Sequence, residues 1–451
     1  MLCIMTVAVV SIGVYVFGFR EHEQQLDTLG DLNALQAGRH LFRAEPEPER
    51  DAHVMPRKMT QPCKPPEAIC DPMPVLCTVG GEPSYRQSII LPPLGYCSII
   101  FYKYITRSSI DANGTTRSGR LDEFLHLAKQ NSGWSEFGVA FDYWFAEGAA
   151  AMLSEPNGTR MLAPFEENGV VHYGVLNDWS GWSYNVLHHK ATLNLFRVLR
   201  QHQRQRDAGR PYLLGGIVYA VRMLPSYNKQ QLDMIDHIVK DFKVDMLVAT
   251  THMEETYQYT FDCRITGPTT WDHKYDSHEL PIIDVIKRIS DRGYLDLNVP
   301  VAVSFTLKGF WYRPEKNAHE VYFAPGKPCG YIVGDPTVGS YTEVCENTTY
   351  QSHMTTFEEG HFFNYTFCRE CDRTFVFDTL SSITQKVVLA HRAHRGLSFA
   401  LFDIDYEDVF NLCPDNLYGA FDRVAAVRWL TDRFKELRGA AVSRGLESPA
   451  S

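Results

Sequence analysis

The chain has 451 residues, 44 Lys and Arg against 54 Asp and Glu for a formal charge of −10, and 44% hydrophobic residues. This excludes a disordered polar chain and a collagen-like repeat. The acidic balance, with no evident basic stripe, argues against a nucleic-acid partner and leaves sugars, peptides and protein surfaces as ligands.

From the amino end, Leu2 to Phe19 form an uncharged run, LCIMTVAVVSIGVYVFGF, closed by Arg20 and Glu21. As a helix it would span about 27 Å, near the hydrocarbon thickness of a bilayer and longer than a usual signal-peptide core. No Ala-x-Ala pattern follows, so residues 1–20 are expected to be an uncleaved signal anchor that meets the membrane through residues 2–19. A cleaved signal peptide, giving a secreted protein, is the alternative. Residues 21–74 carry AEPEPERD at 44–51 and prolines at 56, 62, 65, 66, 72 and 74. Such a stretch buries too little apolar area to offset its ordering entropy and reads as a flexible stem. The tail 438–451 reads the same way.

Between them, β-rich runs alternate with helical spacing. The strand candidates are 75–79, 97–102, 137–141, 171–176, 213–219, 245–250, 299–305 and 397–403. Leu187, Ala191, Leu195, Val198 and Leu199 share a helix face, as do Leu232, Ile235, Val239 and Phe242, and Ile383, Val387 and Ala390. Gly293 and Gly396 fall where glycine ends a helix. Eight near-continuous apolar strands alternating with amphipathic helices predict an α/β fold, a (β/α)8 TIM barrel over 75–437 with any site at the carboxyl ends of the strands.

Cys3 lies in the apolar run, and the other ten cysteines, Cys63, Cys70, Cys77, Cys97, Cys263, Cys329, Cys345, Cys368, Cys371 and Cys413, form an even set. N-x-[ST] sequons occur at Asn113, Asn157, Asn347 and Asn364. Together they indicate an oxidising, glycosylating compartment, so the chain is expected at the cell surface or outside the cell. Cys368-x-x-Cys371 has no second pair to complete a zinc site, so disulfides are expected and no metal or cofactor.

The carboxyl part, EVC at 343–345 and FDTLSSITQKVVLAHRAHRGLSFALFDIDYEDVFNLC from 377 to 413, resembles the last barrel unit of the family 18 glycoside hydrolases, the chitinases and chitinase-like lectins. Asp378, Lys386, Gly396, Asp403, Asp405 and Cys413 occupy the places of that unit's Tyr/Phe-Asp pair, helix, closing Gly, Asp-x-Asp strand end and following Cys. The resemblance implies a small α+β insertion at about 306–376, between strands 7 and 8, and disulfides Cys77 to Cys97 and Cys345 to Cys413. The partners of the other six cysteines stay open.

Active members carry Asp-x-x-Asp-x-Asp-x-Glu at the end of strand 4, and the Glu protonates the glycosidic oxygen while the substrate's N-acetyl oxygen attacks. The corresponding stretch here is YGVLNDWS. Tyr173 and Leu176 replace the first two acids, Asp178 keeps the third, Trp179 follows, and Ser180 stands at the Glu position, where an alcohol cannot act as that acid. Three further strand ends depart from the family. Thr250, His252 and Met253 replace Met-x-Tyr-Asp, Lys308-Gly309-Phe310 replaces Tyr-Gly-Arg, and Ala400 replaces the floor tryptophan. The resemblance therefore implies a catalytically inactive chitinase-like protein that binds a β-linked N-acetylglucosamine-type glycan or related saccharide. Asp178, Trp179, His252, Trp311 and Tyr312 are the candidate contacts, the last two as the more exposed aromatic rings, with core packing the alternative for every ring. A protein-interaction module without sugar affinity is the second expectation. A hydrolase using relocated carboxylates from Glu166, Glu167, Glu254, Glu255, Asp405, Glu407 or Asp408 is the third. DIDYED is not an EF-hand, because Asp408 stands at the turn-glycine position.

Overall fold

The structure, a computed structural model, describes residues 69, 71–80, 88–110, 116–178, 186–210, 213–253, 263–272, 281–315, 323–330, 337–351, 362–414 and 416–443. The apolar run at 2–19, Cys63, Cys70, Asn113, Trp179, Ser180, Glu254 and Glu255 lie outside these residues. No helix among the described residues is long and apolar enough to cross a membrane.

Eight parallel strands close into a barrel. They are β1 (Val75–Val79), β2 (Ile99–Ile105), β3 (Glu136–Phe141), β4 (Val170–Asp178), β5 (Ile217–Val221), β6 (Met246–Ala249), β7 (Val301–Thr306) and, after an insertion, β13 (Ser398–Phe402). Each strand candidate corresponds to one of them. The fifth starts later than its sequence suggests: a Cβ on Gly215 would sit 1.9 Å from the Val171 carbonyl oxygen. The glycine pair thus serves a close backbone approach, and the strand begins after it.

Side chains alternate between two layers. Leu76, Ile99, Phe101, Ala140, Leu176, Val218, Val248, Ala302, Ala400 and Phe402 fill the barrel, and the intervening residues pack outward against helices. The interior has little spare room. The Phe101 ring lies 2.6 Å from where a Cβ on Gly138 would be.

The principal helices on the outside are α1 (Gly119–Asn131), α2 (Ala146–Ser154), α3 (Ala163–Glu167), α4 (Val186–Arg206), α5 (Lys229–Asp236), which continues as a π-helical turn over His237–Phe242, and α6 (Ile282–Asp291). The expected faces hold on α5 and its extension, where Ile235 and Val239 are buried. On α4, Leu195 and Leu199 are buried, but Leu187 in the first turn is 64% exposed and does not belong to that face. Gly293 takes the left-handed conformation that ends α6, at φ 69°; Gly396 does not have a positive φ. Its helix ends instead on His394 in extended conformation, whose N–H bonds to the Ala390 carbonyl.

The insertion between β7 and β13 is a five-stranded antiparallel sheet. It comprises β8 (Gly309–Pro314), β9 (Cys329–Gly330), β10 (Val338–Gly339), β11 (Asn364–Cys368) and β12 (Arg373–Phe377), with short helices α7 (Thr342–Cys345) and α8 (Thr348–Gln351). Disulfides join Cys77 to Cys97 and Cys345 to Cys413, as the family resemblance implied, and also Cys263 to Cys329 and Cys368 to Cys371. Helices α9 (Leu380–Ala393) and α10 (Asp422–Ser443) complete the fold.

Both expected boundaries of the barrel move outward. Asp71 binds Lys435 of α10 at 2.7 Å and accepts from Ser98 Oγ, and Met73 is buried, so residues 71–74 belong to the barrel and not to a stem. Helix α10 runs to Ser443, beyond the expected start of the tail at 438.

Candidate binding site at the carboxyl mouth of the barrel

One side of the mouth is built from β2, β6, β7 and β13. Lys103 replaces an apolar residue on the inward face of β2, and only a buried anion can compensate an ammonium there. Asp403, immediately after β13, supplies it. The two side chains are 2% and 0% exposed and form an ion pair. Asp403 Oδ2 also takes Thr306 Oγ1 at 2.9 Å and Lys308 Nζ at 3.3 Å, and its backbone N–H donates to Thr78 Oγ1. Asp403 has φ 59°, a left-handed conformation that Asp tolerates better than most residues. Burial alone would raise its pKa, but the ammonium groups of Lys103 and Lys308 outweigh burial and hold it well below the usual carboxylate range. Asp403 is therefore a fixed anion.

Two residues on, Asp405 behaves oppositely. Burial raises it to about 6, against the lowering effect of the Gly80 N–H, which donates to it at 2.6 Å. His252 follows β6. It is buried, packs against Phe402 with ring centroids 4.4 Å apart and planes tilted by 37°, and places Nδ1 2.7 Å from Ser304 Oγ. Ser304 Oγ also accepts the Thr251 N–H, so one hydroxyl links the two residues that follow β6.

The other side of the mouth is aromatic. Asp142, directly after β3, accepts the Trp144 N–H at 2.7 Å and caps a single turn over Tyr143–Phe145. Asn177 of β4 ties that turn to the next strand by accepting the Tyr143 N–H and donating to Asp142. The fixed backbone presents the Trp144 ring 62% exposed to solvent, 4.7 Å from His188 in the first turn of α4 and 4.6 Å from Tyr143. An exposed indole on a pinned backbone offers a flat apolar face at little entropic cost.

The sequence-predicted residues scatter over this geometry. His252 joins the charged side, and Leu176 lies inside the barrel. Tyr173 points outward into the helix layer, its hydroxyl 3.4 Å from Glu166 Oε1. Asp178 is the last residue of β4 and pairs with Val221. Trp311 and Tyr312 were expected to be exposed and are not, at 5% and 1%. They alternate on β8, so that Trp311 packs against Phe375 and Tyr350, and Tyr312 turns to the opposite face and donates to the Thr266 carbonyl.

Of the described acids proposed as replacements, Asp405 stays at the mouth, whereas Glu166, Glu407 and Asp408 are engaged with other groups. Glu166 lies at the amino end of β4 with His202 and Arg206, Glu407 pairs with Arg423, and Asp408 accepts the Leu412 and Cys413 N–H groups. Asn157 and Asn347 are exposed; Asn364 is half-buried and accepts from Thr379. Sequence reasoning missed Lys103 and Trp144. The signals were a lysine inside an apolar strand and a tryptophan just beyond a strand end.

No protein-family model matches this chain, and no curated protein matches it by sequence. Its barrel is that of chitinases and chitinase-like proteins. A group IV chitinase of Ostrinia furnacalis, solved with allosamidin, superposes with a TM-score of 0.60 at 17% identity over 80% of this chain and 99% of that one. An immunomodulatory active chitinase from Trichuris suis gives 0.60 at 14% over 80% and 100%. Human YKL-39, described as a pseudo-chitinase with retained chitooligosaccharide binding, gives 0.59 at 13% over 81% and 100%.

Proposed function

We propose that this protein is a non-hydrolytic chitinase-like glycan-binding module, N-glycosylated and acting outside the cell, either secreted or tethered through residues 2–19. The observation that carries the reading is Ser180, the second residue beyond β4, at the place of the proton-donating Glu in the family it resembles. A hydroxyl holds its proton far too tightly to give it to a glycosidic oxygen near neutral pH. The charged side of the mouth adds to this, since Asp403 is a fixed anion. Trp144 and His188 would supply the sugar platform, with Asp178, Trp179 and His252 as further contacts.

One observation favours a second reading. Asp405, raised to about 6, keeps a proton at mildly acidic pH and would be the acid of a hydrolase with relocated carboxylates. Incubation of the full chain with chitohexaose at pH 5.5 and 7.4 tests both. The first reading predicts saturable binding by calorimetry and no new reducing ends. Reducing ends that disappear in Asp405→Asn would establish the second. Capture of a cell-surface protein without affinity for any arrayed glycan would favour a protein-interaction module instead.

A further inference from the structure

Away from the mouth, α4 and the α5 helix with its π-helical extension enclose an open groove of about 1150 Å³. Its lining departs from the acidic balance of the whole chain, since Lys190, Arg197, Arg200 and Arg204 all come from α4. The carboxylate in the lining, Asp241, is engaged with His237 at 2.5 Å. Arg200 is nearly buried, paired with Asp245 and held over the Phe242 ring. Arg197 reaches only the Asn194 side-chain oxygen at 3.4 Å, and neither Lys190 nor Arg204 has an acidic partner among the described residues.

Lys190, Arg197 and Arg204 recur every seven residues. On a helix that is two turns, about 10 Å, with a drift of only about 20° per step, so the three charges form a row about 21 Å long. Beside them lie Leu193, Met234 and Phe242 as an apolar floor, with Gln201 and Gln205 as hydrogen-bonding amides.

We propose that this groove binds a linear sulfated polysaccharide of the glycosaminoglycan class. A row of evenly spaced cations fits a ligand whose anionic groups recur along a chain, and an apolar floor fits the faces of its sugar rings. The four disulfides belong to an oxidising compartment, where such polyanions occur and nucleic acids do not. A concave cleft whose innermost cation is already paired suits a chain better than the flat surface of a bilayer.

The test is titration of the full chain with a heparin decasaccharide at 50 to 200 mM salt, repeated with Lys190→Ala/Arg197→Ala/Arg204→Ala. Wild type should bind with an affinity that falls linearly in log salt, and the triple variant should lose about 30- to 100-fold and flatten that slope by about two to three ion pairs. Arg204→Ala alone should lose about threefold to fivefold, and Arg433→Ala on α10 nothing. Unchanged thermal unfolding and unchanged chitohexaose affinity in the triple variant separate this site from the mouth. Absence of heparin binding by wild type, equal binding by the triple variant, or displacement of heparin by phosphatidylserine vesicles would overturn the proposal.

Discussion

On the side of β6, β7 and β13 the barrel mouth is filled with charge held out of water, whereas on the side of β3 and β4 it ends in aromatic rings held out into water. Lys103, Asp403 and Lys308 satisfy one another, and the Asp403 carboxylate takes a hydroxyl as well. Among the described residues, the rings of Trp144 and His188 make aromatic contacts only with each other and Tyr143, and the backbone at Tyr143 and Trp144 is pinned by Asn177 and Asp142. The first arrangement rigidifies and fixes charge. The second leaves ring faces open on a fixed backbone. On the proposed reading, a mouth without the family's proton donor recognises a sugar through that aromatic wall.

The largest effect should come from breaking the charged side. Asp403→Asn leaves Lys103 buried without its counter-ion and should cost about 3–5 kcal/mol in urea unfolding. The double change Lys103→Met/Asp403→Leu should cost less than Asp403→Asn alone, since no charge is left unpaired.

Titration of the same side gives the next effect. Asp405 and Asp422 both hold protons to about pH 6, chiefly through burial. An unfolded Asp releases its proton near pH 3.9. Between about pH 4 and 6 these two groups are therefore more protonated in the folded chain than in the unfolded chain, and their contribution to stability should fall as pH rises through that window. Asp405→Asn should remove a share of this slope worth at most about 3 kcal/mol. Asp403 works in the opposite sense: its depressed pKa contributes stability above about pH 4 that is lost on acidification below it. A melting series from pH 3 to 8 on wild type and Asp405→Asn reads both.

Trp311→Phe sharpens the contrast from outside the mouth. It should cost about 1–2 kcal/mol through lost packing against Phe375 and Tyr350 while leaving sugar affinity unchanged. Trp144→Ala should do the reverse. It should leave the melting temperature alone and weaken chitohexaose binding about tenfold, or about 1.4 kcal/mol.

The barrel was legible because strands buried on both faces read as near-continuous apolar runs, and alternating helical spacing between them leaves few other folds. Strand β5 was misplaced because Gly215 and Gly216 look like part of a strand until the neighbouring Val171 backbone is in view. The charged side was harder to read. Lys103 lies 300 residues from Asp403 in the chain, and nothing local to IIFYKYI names its partner. Trp311 and Tyr312 misled for a related reason: strand alternation puts adjacent aromatic rings on opposite faces, and whether each face is covered depends on β12, α8 and the segment around Thr266, far away in sequence. Trp144 was visible only as the fourth aromatic ring of FGVAFDYWF, and its exposure follows from the cap made by Asp142.

The most direct test is to follow the tryptophan indole N–H resonances of the full chain while chitohexaose is added, and to weigh the sugar afterwards by mass spectrometry. The expected result is a saturable shift of the Trp144 indole signal, assigned from its loss in Trp144→Phe, with the hexasaccharide recovered whole. Shorter saccharides in the wild-type sample, or saturation without movement of that signal, would contradict the account.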